Sequence, residues 1–198
     1  MGINTLRPTL RQLAAALTLL PALSSHAAKP LPAEVSATLP AGQALLAWEA
    51  ADLNRDGRVD LVTVSEASAQ QDDDGPRLLQ VWLRQPDGKL NAAVRSQRAV
   101  MCRQCGGVFG DPFEGLQTQA GGFTLLHYGG SNWRWREDFR FAWSRRDQTW
   151  QLVAVDSLSF HTSEPDKQTA KHARPPRDFG LINLADFDYE NWQGRGQR

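Results

Sequence analysis

At 198 residues, 41% of them hydrophobic, the chain fits one domain with a real core behind an N-terminal leader. Its 22 basic and 22 acidic residues cancel. Setting aside Arg7 and Arg11, which fall in an acid-free leader, the rest of the chain carries about −2, so no electrostatic footprint for nucleic acid or an anionic membrane exists.

In the leader, Arg7 and Arg11 supply a positive n-region and Leu13 to Leu23 an apolar run of h-region length. Ser25-His26-Ala27 then supplies small residues at a cleavage site. Residues 1–28 are therefore expected to be a signal peptide cut after Ala27 or Ala28, and the protein to be periplasmic or secreted. The run is shorter than the ~20 residues a membrane span needs. No second run of that length follows, so no transmembrane segment is expected.

Residues 29–40, with Pro30, Pro32 and Pro40, read as a tether, and residues 41–192 as one β-rich domain. Leu45, Leu46 and Trp48 form a short apolar element, and Leu61-Val62-Thr63-Val64 a strand. Gln70 to Pro76, with Asp72-Asp73-Asp74, is a solvated acidic loop. Leu78 to Arg84 is a second strand, closed by the turn Pro86-Asp87-Gly88. Residues 101–115 are glycine-rich and irregular, and strands are expected at Phe123 to Tyr128, Trp133 to Trp143 and Trp150 to Val155. In the middle one Trp133, Trp135, Phe139, Phe141 and Trp143 alternate with Asn132, Arg134, Arg136, Asp138 and Arg140. A period of two puts an aromatic face on the core and a charged face toward water. Residues 161–178 read as a loop, Leu181, Leu184 and Phe187 as one stripe of a short helix, and 193–198 as a frayed tail. The fold expected is a mainly-β antiparallel sheet domain with a short C-terminal helix and one calcium loop.

That loop is Asp52-Leu53-Asn54-Arg55-Asp56-Gly57-Arg58-Val59-Asp60. Oxygen-bearing side chains stand at positions 1, 3, 5 and 9, with glycine at 6. Calcium takes six to eight oxygens, and alternate positions of a curled loop point to one centre. Asp52, Asn54, Asp56, the Arg58 carbonyl and Asp60 are the expected ligands of a structural Ca2+ ion. An EF-hand would carry glutamate at position 12, where Thr63 stands, and would leave into a helix. The loop instead resembles those of FG-GAP and VCBS repeats, which enter a strand.

A wider resemblance rests on Gly106-Gly107-Val108-Phe109-Gly110-Asp111-Pro112-Phe113-Glu114-Gly115, on His127-Tyr128-Gly129-Gly130-Ser131-Asn132-Trp133-Arg134-Trp135 and on Phe139-Arg140-Phe141. Together with the calcium loop these are similar to a family of uncharacterised secreted proteins and lipoproteins of bacteria, over most of residues 45–155. The resemblance implies export and a β-rich fold and names no reaction. Cys102, Cys105 and the polar stretch after residue 160 depart from it.

Cys102 and Cys105 precede two glycines in a loop, which fits a structural disulfide in an oxidising compartment better than a redox motif. His127, Tyr128, Asn132, Trp133, Arg134 and Trp135 form a candidate surface for a protein, peptide or glycan ligand. No residue set is assigned as catalytic. The expected role is a non-enzymatic binding or accessory protein. The alternative is a hydrolase using Asp111, Glu114 and His127; against it, Asp111 is expected to cap the turn and Glu114 to pair with an arginine of the 134–140 face.

Overall fold

A computed structural model describes residues 32–37, 39–68 and 75–193. The expected leader and its cut after Ala27 or Ala28, most of the acidic loop and the tail beyond Gln193 lie outside the described residues.

Two antiparallel sheets make the domain, each with its strands in chain order. The first holds β1 (Gln43–Ala51), β2 (Asp60–Ala67), β3 (Leu78–Arg84) and β4 (Leu90–Ser96). The second holds β5 (Phe113–Gln119), β6 (Gly122–Gly130), β7 (Trp133–Ser144), β8 (Thr149–His161) and β9 (Thr169–Ala173). Val62, Val64, Leu79 and Val81 of the first sheet share one core with Phe123, Leu125, Phe139, Phe141 and Leu152 of the second. The expected alternation of β7 holds for Phe139 and Phe141, both fully buried, while Trp135 and Trp143 pack at the margin. Trp133, at the strand's start, is 63% exposed.

β2 is buried on both faces, so its polar residues Asp60, Thr63, Ser65 and Glu66 are buried along with Leu61, Val62 and Val64. Its outer residue Leu61 packs with Trp82 and with Val35 of α1 (Ala33–Ser36). Part of the proline-bearing segment read as a tether therefore caps the first sheet.

The C-terminal apolar stripe enters the core without forming a helix over its whole length. Ile182, Leu184, Phe187 and Trp192 are buried, whereas Leu181 is exposed. Only one 3-10 turn, Leu184–Asp186, occurs there. The reason is competition from β8: Leu152 N–H donates to the Ile182 carbonyl at 2.9 Å, and Asn183 bridges Gln151. These bonds hold residues 182–183 extended. Phe187 then sets its ring 5.1 Å from both Phe139 and Phe141.

Three strands have weak sequence signals. β4 is half exposed, β9 is polar and lies within the stretch read as a loop, and β5 opens inside the glycine-rich segment. Each takes its conformation from the ladder of its neighbour, β3, β8 or β6. Among the described residues no helix is long and apolar enough to cross a membrane.

Candidate functional site

The acidic loop joins β1 to β2 and ties the two sheets together. Leu53 inserts into the core, and its carbonyl accepts the Trp150 indole N–H at 2.9 Å. The Asp52 carbonyl accepts Gly121 N–H, from the β5–β6 turn, at 2.8 Å. Gly57, at φ 85°, gives the sharp turn a glycine favours. The Asp52 carboxylate accepts the N–H groups of Asp56 at 3.0 Å and Gly57 at 2.9 Å. Asp60, fully buried, accepts Leu53 N–H and Arg84 N–H, both at 2.9 Å.

These carboxylates act on one another. Burial first, and then the charges of Asp56 and Asp52, push the Asp60 carboxyl above its ordinary pKa, against its two backbone hydrogen bonds. Burial also opposes the charge on Asp56, but bonds from Asn54 and Arg58 outweigh it and lower the pKa. Asn54 Nδ2 donates to Asp56 at 2.8 Å, and the Arg58 guanidinium forms an ion pair with the same carboxylate. Among the described residues no three His, Cys, Asp or Glu side chains stand at metal-holding distance. The oxygen-only donor set suits calcium chemically, and the Asp56–Arg58 pair is what an arriving cation would displace.

A second polar centre lies under the glycine-rich loop and was not legible in the sequence. Arg77 is 1% exposed. Its guanidinium donates to Glu66 at 2.9 and 3.1 Å, to Asp111 at 2.7 and 2.5 Å, and to the Met101 carbonyl at 3.1 Å. Arg103 adds an ion pair with Glu66. Asp111 also caps its own turn by accepting Phe113 N–H at 2.9 Å. Burial works against its charge, yet Arg77 holds its pKa below the ordinary value.

His127 is fully buried between the rings of Phe113 and Phe139. Its Nε2 accepts Met101 N–H at 3.4 Å, and its Nδ1 has no hydrogen-bond partner of normal geometry. Burial, reinforced by the Arg77 charge, lowers its pKa to about 4. Glu114 instead lines a recess of about 260 Å³ with Tyr128, Arg136 and His127, although His127 is itself fully buried and Asp111 lies outside it. Tyr128 follows His127 in β6, so their side chains leave opposite faces of the strand. Asp111, Glu114 and His127 therefore do not converge on one open cleft. Cys102 and Cys105 form a disulfide, Cα–Cα 5.1 Å, and Cys105 Sγ lies 3.4 Å from the Tyr189 hydroxyl.

The segment read as one binding surface divides between two faces. His127 and Trp135 turn inward, and a Cβ added at Gly129 would stand 2.6 Å from the Trp135 ring and 2.9 Å from the Gly106 backbone. Tyr128 and Arg134 turn outward, where Phe109 joins them: its ring lies 5.7 Å from that of Tyr128 and 4.0 Å below the Arg134 guanidinium. Trp133 stands at the strand end with its ring 5.2 Å from that of His161, and Asn132 beside it is exposed. Val108, Phe109 and Trp133 are the large exposed apolar side chains of this tip. Backbone contact between Gly107 and Gly130 holds the 106–110 loop against the β6–β7 turn.

No protein-family model matches the sequence, and no curated protein matches it.

Proposed function

We propose that this chain is an exported, non-enzymatic binding or accessory protein whose β-domain is stabilised by one calcium ion in the loop 52–60. One observation carries the binding reading. Of the acid–base candidates His127 is buried and Asp111 is engaged by Arg77, leaving Glu114 exposed without them, whereas Val108, Phe109 and Trp133 stand exposed around Arg134 at one tip. Clustered apolar and aromatic side chains in water mark interaction surfaces, and arginine beside aromatics suits a protein, peptide or glycan partner. The leader motif and the resemblance to secreted bacterial proteins support export to the periplasm or medium.

Calcium fits the loop because Asp52, Asp56 and Asp60 repel one another when ionised and an ion would offset that. Asp52, Asn54, Asp56, the Arg58 carbonyl and Asp60 would hold it. The loop anchors β1, β2, the end of β3 and the β5–β6 turn, so its stabilisation would spread to both sheets.

The test is thermal unfolding of residues 29–198 in chelator and in millimolar calcium, alongside Asp56→Ala. Calcium at 100 times its Kd stabilises by ~2.7 kcal/mol. The expected result is a calcium-dependent rise in Tm that Asp56→Ala abolishes. No shift at ~10 mM calcium, ten times the weak end of the range for extracellular sites, overturns the metal reading. For the tip, peptide and glycan arrays probed with the wild type and with the double variant Phe109→Ser/Trp133→Ser should show a signal that the variant loses at unchanged Tm. Signals equal in both proteins overturn it.

A further inference from the structure

The core-facing side of the second sheet continues beyond the core. Directly paired residues of neighbouring strands share a face. The register places Leu125, Phe139, Val155 and Ala173 in one row, His127, Glu137, Ser157 and Lys171 in the next, and Gly129, Trp135, Ser159 and Thr169 in the third. The first row is core. The outer parts of the other two rows, walled by Met101 and Gln193, bound a cavity of about 330 Å³. That volume is at the small end for ligand sites.

The charges in this cavity are set apart. Glu137 is half-buried, and its carboxylate receives one weak bond, from the Ser157 hydroxyl at 3.4 Å. Among the described residues no cation lies within ion-pair distance of it. Burial raises its pKa, as expected of a carboxylate taken from water without a counter-charge. Lys171 lies in the same row beyond Ser157, about 10 Å away across two strand spacings. It is exposed and makes no ion pair among the described residues. Arg136 projects from the opposite face of the strand, where it is engaged by Asp138 at 2.9 Å. Trp135 and Met101 supply the apolar lining.

We propose that this cavity binds a free amino acid with an apolar or aromatic side chain, its ammonium on Glu137, its carboxylate on Lys171 and its side chain against Trp135 and Met101. A zwitterion matches the two separated charges, and one carrying only a single charge leaves the other side chain unanswered. This site is separate from the exposed tip and from the calcium loop, so it stands or falls independently of both.

The experiment is titration calorimetry of the full mature chain at pH 7 with L-phenylalanine, 3-phenylpropanoate, which lacks the ammonium, and 2-phenylethylamine, which lacks the carboxylate. L-phenylalanine should bind at one site with an affinity on the order of millimolar or tighter. Each analogue should bind about tenfold more weakly, the worth of one charge-assisted hydrogen bond. Glu137→Gln should weaken L-phenylalanine about tenfold and leave 3-phenylpropanoate unchanged, and Lys171→Ala should leave 2-phenylethylamine unchanged. Absence of saturable L-phenylalanine binding to ~10 mM, ten times the expected Kd, overturns the proposal. So do equal affinities for the three compounds, or a folded Glu137→Gln protein with unaltered affinity. Should Glu137→Gln fail to fold, the comparison of the three compounds on the wild type decides alone.

Discussion

Acidification should destabilise this domain mainly through His127. The side chain is fully buried and its pKa falls from 6.5 to about 4. A histidine whose folded pKa is depressed binds more protons unfolded than folded between those two values, so its contribution is intact above pH 6.5 and is lost as pH falls toward 4. The whole shift is worth roughly 3 kcal/mol at 1.36 kcal/mol per unit. Between pH 7 and 4.5 the loss works out at about 2 kcal/mol. The assay is urea unfolding of the wild type and His127→Gln at both pH values. Glutamine keeps an acceptor for Met101 N–H but does not titrate. Asp111, whose pKa is lowered, pushes the wild-type slope in the same direction. Asp60 and Glu137, whose pKa values are raised, push it the other way. The difference between the two proteins isolates the histidine. The variant should lose about 2 kcal/mol less than the wild type on acidification. Equal losses, within ~0.5 kcal/mol, the ordinary tolerance for additivity, would refute the assignment of a buried, neutral His127.

Replacing Arg77 with methionine should cost ~3–5 kcal/mol, because Glu66 would lose its buried counter-charge; a urea midpoint close to wild type would contradict this. Reducing the Cys102–Cys105 disulfide should cost no more than ~2 kcal/mol, since it closes a very short loop, and a reductant titration followed by Tm measures it. Phe139→Ala should cost ~3–5 kcal/mol and Trp133→Ala less than ~0.5 kcal/mol, although both lie on the same aromatic alternation. Chemical unfolding of the two variants separates the buried ring from the exposed one. In chelator, the raised Asp60 pKa means that its contribution is full below about 3.8 and falls as pH rises through the folded value. Calcium stabilisation should accordingly vanish in acid and grow toward neutrality, which Tm measured against pH with and without calcium would check.

The alternation in β7, the β-branched segment Leu61-Val62-Thr63-Val64 of β2, the apolar run of β3 and the turn at Gly88 were legible because side-chain period, strand propensity and turn chemistry are local properties. So was the disulfide, from two cysteines three positions apart in a loop. β4, β5 and β9 were not, because their residues carry weak strand propensity and are held by the ladders beside them. The short C-terminal helix is a single 3-10 turn, Leu184–Asp186, and does not extend over the whole stripe for the same reason: a 3.6-residue apolar spacing at Leu181, Leu184 and Phe187 is compatible with a helix, but β8 offers residues 182–183 hydrogen bonds in an extended conformation.

For the candidate sites the division is sharper. Sequence alone located the acidic loop, since all its oxygens lie within nine residues, and it marked the tip through Trp133 and Arg134. It gave no sign that Arg77 would meet Glu66 and Asp111, or that Glu137 would share a row with Ser157 and Lys171. Nor could it say that His127 and Tyr128, adjacent in the chain, serve opposite faces of the same sheet. The partners of Arg77 and the row of Glu137 join residues 11 to 34 positions apart. Only strand register and the closure of two sheets over one core bring such residues together, because charge pairing and burial depend on distance in space and leave no periodic trace along the chain.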